Sequence, residues 1–253
     1  MQGDSALGRA LSLVRDLRTR CPWDRAQTPQ TLRPYLVEEA LELDQAIQRD
    51  DPEALRDELG DVLLHLAFQI VIAEERSQFN AEVVTRSLEE KMWRRHPHLY
   101  AGAQDADHAN WELVKRREPR AGGKRGTLSG LPPTLPALLA AYRLQERAAG
   151  VGFDWPDAAG PMAKVKEETE EVAREVGEGR REKVEDEIGD LLFAVVNLAR
   201  KLGVEPSRAL ERANEKFTNR FEQLEALAEA RGVQIGRASL EELDKLWDEV
   251  KRR

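Results

Sequence analysis

The chain has 253 residues, 47 acidic against 39 basic, a formal net charge of −8 and an isoelectric point near 5.3. That balance argues against a nucleic-acid polymer as principal partner. A single cysteine, Cys21, excludes an intramolecular disulfide or a cysteine-rich zinc site. No apolar stretch approaches a membrane span, and the N-terminus lacks the basic segment and long apolar core of a signal peptide, so a soluble cytoplasmic protein is expected.

The first predicted element is a helix over about 5–20, from the spacing of Leu7, Ala10, Leu11, Val14 and Leu17. A loop is expected through Cys21-Pro22-Trp23-Asp24. An acidic helix follows from Leu32 to about Arg49, then a break at Asp50-Asp51-Pro52 and a second helix from Glu53 to about Glu75. Asn80 to about Arg95 reads as another helix, stopped by His96-Pro97. From about Glu118 to Pro136 the composition turns to Pro, Gly and Arg, which predicts a linker. Gly123-Lys124 within it is no phosphate loop, because no glycine stands at the required earlier step and no strand precedes it.

The second half replays the first. Helices are expected over Ala137 to about Ala149, Met162 to Val176, Arg181 to Leu202, and from Glu205-Pro206-Ser207 past Leu227, with Gly177-Glu178-Gly179 as a turn. No strand alternation is seen, so the class is all-α. The expected domains are 1–118 and 137–253, joined by a linker over 119–136.

An acidic signature occurs once in each half: Glu38-Glu39-x-x-Glu42 with Glu58-x-x-Asp61, and Glu167-Glu168-x-x-Glu171 with Glu187-x-x-Asp190. Composition alone yields roughly ten acid-x-x-acid pairs, so one pair carries nothing. The repetition at equal spacing does, as does the entry of Asp61 and Asp190 into apolar helices, where a carboxylate is costly without a cation or donors. A spacing of three puts both carboxylates on one helical face, and two such helices packed antiparallel would converge four of them. Hard oxygen donors grouped in this way suit Mg²⁺ or Mn²⁺, which would hold a polyphosphate.

Basic pairs recur downstream: Lys91-x-x-x-Arg95 and Trp111-x-x-x-Lys115, then Lys216-x-x-x-Arg220 and Trp247-x-x-x-Lys251. With Cys21-Pro22-Trp23-Asp24, Arg94-Arg95-His96-Pro97-His98, Val151-Gly152-Phe153-Asp154-Trp155 and the run from Gly189 to Arg200, the chain resembles the MazG family of nucleoside triphosphate pyrophosphohydrolases, in the all-α NTP pyrophosphatase superfamily. The resemblance covers nearly the whole chain. It implies hydrolysis of an NTP to NMP and pyrophosphate with Mg²⁺, and a homodimer. By matching motif it implies Glu168, Glu171, Glu187 and Asp190 as catalytic metal ligands, and Glu39, Glu42, Glu58 and Asp61 as the equivalent set. Lys164, Lys183, Lys216, Arg220, Trp247 and Lys251 match nucleotide-contacting positions.

Lys216 and Arg220, one turn apart, can bind phosphate oxygens, Arg as a fork and Lys as a point charge. Trp247 can stack on any base. Asn197 can hydrogen-bond sugar or base or serve as a core amide, and the first copy has Phe68 at the matching step. That difference, and a longer interval from Asp61 to Lys91 than from Asp190 to Lys216, makes the C-terminal site the expected catalyst. The competing readings are a ferritin-like di-metal oxidoreductase, which expects Glu-x-x-His where Asp61 and Asp190 stand, a non-catalytic helical scaffold, and a narrower dUTP or phosphoribosyl-ATP hydrolase.

Overall fold

A computed structural model describes residues 5–100 and 126–252. Helices are the regular elements of the described residues, without a strand, and the chain divides into two compact units at residues 103 and 104. That cut, His108, Trp111, Lys115 and the first part of the expected linker lie outside the described residues. Among those described, no helix is long and apolar enough to cross a membrane.

The first unit contains α1 (Ala6–Arg20), α2 (Pro22–Ala26), α3 (Pro29–Arg49), α4 (Pro52–Glu75), α5 (Ala81–Arg95) and α6 (Pro97–Tyr100). Its helix ends are written in capping residues. Thr28 and Thr31 exchange hydrogen bonds across the first turn of α3. Asp50 closes that helix in the left-handed region at φ 53°, and Asp51 accepts from the amides of Glu53 and Ala54 to open α4. A two-residue connection of this kind makes α3 and α4 packed antiparallel neighbours. The core joins Leu11 and Val14 of α1, Leu32 of α3, and Ala67, Phe68, Val71 and Ile72 of α4. Buried Arg18 staples its edge, forking onto Glu75 at 2.8 and 2.7 Å and donating to the carbonyls of Asp24 and Gln27.

Two expectations need correction here. Residues 22–26, expected as loop, form the short helix α2, because Pro22 suits a first helical position and Arg18 holds the carbonyl of Asp24. Helix α3 begins at Pro29 rather than Leu32, since its cap is Thr28.

The second unit contains α7 (Ala137–Ala149), α8 (Ala159–Gly177), α9 (Arg181–Lys201), α10 (Pro206–Ala230) and α11 (Leu240–Arg252). Helices α8 and α9 pack together, with Gly179 at φ 71° in their turn. Beside that turn, Arg180 forks onto buried Glu175 at 2.5 and 2.6 Å. Helix α7 covers α9, where Gln145 donates to the carbonyl of Phe193. Glu205 caps α10, and Ser239 with Glu242 forms a reciprocal cap for α11. A small core joins Leu224 and Ala228 of α10 to Leu246 and Val250 of α11. The final helix, α11, adds to the elements expected from sequence.

Candidate metal and nucleotide site

Glu168 and Glu171 lie on one face of α8, and Glu187 faces them from α9. The structure brings one carboxylate oxygen from each within 4.8 Å of the others. Glu168 is only 4 % exposed. Its Oε1 is held by Lys164 Nζ at 2.5 Å, and its buried Oε2 has no hydrogen-bond partner. Lys164 also donates to Glu167 at 2.9 Å, and these two carboxylates hold its ammonium well above the usual lysine range. Burial, then Glu171, Glu168, Asp190 and Glu175, raise the Glu187 carboxyl. Asp190 therefore acts electrostatically on the group without entering its tight triangle.

The first unit repeats the triangle with Glu39 of α3 and Glu58 and Asp61 of α4, again within 4.8 Å. Burial raises the Glu39 carboxyl, with Asp61, Glu42, Glu58 and Glu38 adding to it. Glu58 is raised by burial, Glu42, Asp61 and Asp57. Glu42, like Asp190, sits in the field of its triangle.

The two copies differ in the residues that surround the acids. In register with Lys164, Ala194 and Lys183 of the second copy stand Tyr35, His65 and Ala54 of the first. Tyr35 stacks on His65, with ring centroids 6.3 Å apart and planes 8° off parallel. Burial lowers the His65 imidazole, against the pull of Asp61. Sequence reasoning passed over Tyr35 and His65; aligning the two copies residue by residue exposes both.

The other predicted contacts form a second group. Trp247 of α11 packs against the small core and lies 5.4 Å from the Phe217 ring of α10; Lys251 sits over its face at 5.8 Å. Lys216 is exposed on α10 with Arg220 half-buried one turn on, and Lys183 is exposed in the first turn of α9. Asn197 uses its carbonyl oxygen to accept from Arg200 at 3.1 and 2.8 Å. Arg200 and Lys201 also hold Asp154, so the loop over 151–155 is pinned to the end of α9. Burial alone would raise the Asp154 carboxyl, but these two cations outweigh it and hold it low.

Three converging carboxylates with an unpaired buried oxygen have the chemistry to hold a hard divalent cation. Among known proteins, the model of the MazG nucleotide pyrophosphohydrolase domain matches this chain twice, over residues 27–100 and 160–224. Both acidic triangles fall inside those segments, whereas Trp247 and Lys251 fall beyond the second. A nucleoside triphosphate pyrophosphohydrolase/pyrophosphatase MazG of Thermotoga maritima is 41 % identical over 243 residues, covering 95 % of this chain and 94 % of that one. The nucleoside triphosphate pyrophosphohydrolase of Escherichia coli K12 is 40 % identical over 245 residues, covering 94 % and 93 %. YabN of Bacillus subtilis is 42 % identical over 247 residues, which make up 95 % of this chain and 50 % of that longer protein.

Proposed function

The chain belongs to the MazG family and is a nucleoside triphosphate pyrophosphohydrolase, and on that premise we propose that its second unit is the catalyst, hydrolysing NTPs and dNTPs of any base to NMP and pyrophosphate with Mg²⁺, for which Mn²⁺ substitutes. The observation that carries this reading is the triangle of Glu168, Glu171 and Glu187 around an unpaired, buried carboxylate oxygen. Glu168, Glu171 and Glu187 would hold the ion, with Asp190 of the same acidic set as the fourth ligand once its side chain turns inward. When bound, Mg²⁺ offsets triphosphate charge, polarises phosphorus and acidifies the attacking water.

The chain's own cations complete the site. Lys164 already balances Glu168 and can turn its ammonium to a phosphate oxygen, since its other partner is the exposed Glu167. Lys183, Lys216 and Arg220 bind phosphate. Trp247 and Lys251 present a face and a charge to the base, and a stacking contact tolerates any base. Asn197 orients the sugar or base through its amide group. In the first unit Tyr35, Ala54 and Phe68 stand where Lys164, Lys183 and Asn197 would be needed, which favours the second unit as the catalyst.

The protein works as a cytoplasmic homodimer in this reading, with domains 1–118 and 137–253 around a linker over 119–136. Support for the dimer comes from matching exposed stripes: Leu59, Leu63 and Leu66 on α4, and Ile188, Leu192 and Val195 on α9, at helical spacing and in register between the copies. The test is release of NMP and pyrophosphate from a panel of NTPs and dNTPs, comparing wild type with Glu171→Ala and Glu42→Ala. Pyrophosphate lost only with Glu171→Ala is the expected result. A folded wild type that releases none overturns the assignment, and turnover confined to one nucleotide replaces broad use with a narrow hydrolase.

A further inference from the structure

An arginine side chain carries only donors, so an amide that meets it must turn its oxygen toward it. Arg200 donates to Asn197 Oδ1 from Nε at 3.1 Å and from Nη2 at 2.8 Å. The orientation of the Asn197 amide is thereby fixed by its partner's chemistry, and its NH₂ group is left to donate. Among the described residues Asn197 Nδ2 has no acceptor.

Arg200 is itself held. Its side chain is 12 % exposed, and its guanidinium forks onto Asp154, which also accepts from Lys201 Nζ at 3.1 Å. The loop that carries Asp154 has a second anchor: Trp155 lies so close over Gly160, near the start of α8, that any side chain at that position would run into its ring. Tying the loop down takes Asp154 and the two cations, and it does not call for Asn197. In register with Asn197, Arg200 and Lys201 the first unit has Phe68, Val71 and Ile72, all in its buried core. The second unit gives up that apolar burial for a polar chain, Asp154 to Arg200 to Asn197, that ends on an unused donor.

Asn197 follows Asp190 by seven residues on one face of α9, roughly 10 Å along the axis. A nucleotide whose phosphates lie at the acids reaches that point with its nucleoside. Every base offers an acceptor on the edge next to the sugar, purine N3 or pyrimidine O2, and the sugars of NTPs and dNTPs alike carry O3′.

Resting on the catalytic reading of the second unit, we propose that Arg200, locked by Asp154, is a positioning residue that presents Asn197 to the nucleoside as a donor only, which reads an acceptor common to all nucleotides. Such a contact tolerates any base and discriminates against a ligand without the acceptor.

The test compares dATP with 3-deaza-dATP, which lacks N3, and with 2′,3′-dideoxy-ATP, which lacks O3′; all three keep the triphosphate. Wild type should lose about tenfold in kcat/KM on one of the two analogues, and which one it is tells base from sugar. Asn197→Asp, of the same shape but without the donor, should no longer distinguish that analogue from dATP. Arg200→Gln, which can offer the amide either a donor or an acceptor, should shrink the ratio to about threefold or less, and Arg200→Lys, a donor again, should keep it. A purely structural role for Arg200 would lower all three substrates alike. Wild type that turns over all three within about twofold overturns the proposal with no variant needed. So does an Arg200→Gln protein that keeps its circular dichroism spectrum and the full ratio. Failure of wild type to hydrolyse dATP at all strikes the catalytic reading itself, and this proposal with it.

Discussion

The two acidic triangles share their spacing and geometry, and they differ in what balances the charge. In the second unit Lys164 reaches Glu168 Oε1 along its own helix, and further lysines line the sequence nearby. In the first unit the corresponding side chain is Tyr35, stacked on the His65 imidazole that faces Glu39. Carboxylate geometry alone therefore does not decide what each triangle accepts. A polyphosphate brings several negative charges, and Lys164 beside the second triangle is placed to meet one of them.

The largest effect expected from this difference is kinetic. Glu187→Gln removes one ligand charge from the second triangle and should lower pyrophosphate release by about 10²–10³-fold. Glu58→Gln, its counterpart, should leave steady-state turnover within about twofold. Equal losses in the two variants would break the comparison.

Lys164→Tyr, which gives the second copy the side chain of the first, should cut kcat/KM by about 10-fold or more through loss of a charged phosphate contact. The readout is NTP hydrolysis over a range of substrate concentrations. Restoration by Lys164→Arg would favour charge over shape.

A smaller effect concerns stability of the first unit. Arg18→Ala removes the fork onto Glu75 and two carbonyl contacts, and should cost about 1–3 kcal/mol in denaturant unfolding. Arg18 hydrogen bonds, opposed by burial, hold the Glu75 carboxyl below its ordinary 4.5. A group depressed in the fold stabilises it above its unfolded value and loses that contribution as pH falls through the folded one. The wild type should therefore lose more stability than Arg18→Ala between pH 5 and acid, about where Glu75 protonates.

The smallest expected effect is a shift in midpoint with metal. Glu187, Glu39 and Glu58 have raised carboxyls, so ionisation penalises the unliganded fold above those values and the penalty vanishes below the unfolded ones. Mg²⁺ at pH 7 should raise the Tm by a few degrees, following mass action, and the gain should shrink towards pH 5. A gain that grows in acid would contradict the carboxylate assignment.

The long helices and their ends were legible because caps are local: Asp50-Asp51-Pro52 and Glu205-Pro206 act within a few residues. Helix α2 was not, since five residues hold too little periodicity to read and Arg18 reaches it from α1. The start of α3 was misplaced because its cap lies before two prolines. For the site, the acids were legible from spacing, and the convergence of α8 on α9 follows from antiparallel packing. The approach of His65 to Glu39 crosses between helices, and the fork of Arg180 onto Glu175 depends on the path of a turn. Side-chain reach of that kind is decided by the fold.

Lys164 and Glu168 are four residues apart, so their pairing needs no second helix. Part of the repulsion that would hold α8 and α9 apart is cancelled as soon as α8 winds, before any ion is captured. Assembly of the second unit is thereby uncoupled from the supply of metal during synthesis, and a chelator should strip its ion without unfolding it. Among the described residues no lysine or arginine pairs with the first unit's triangle, so burial and mutual repulsion are what raise its carboxyls.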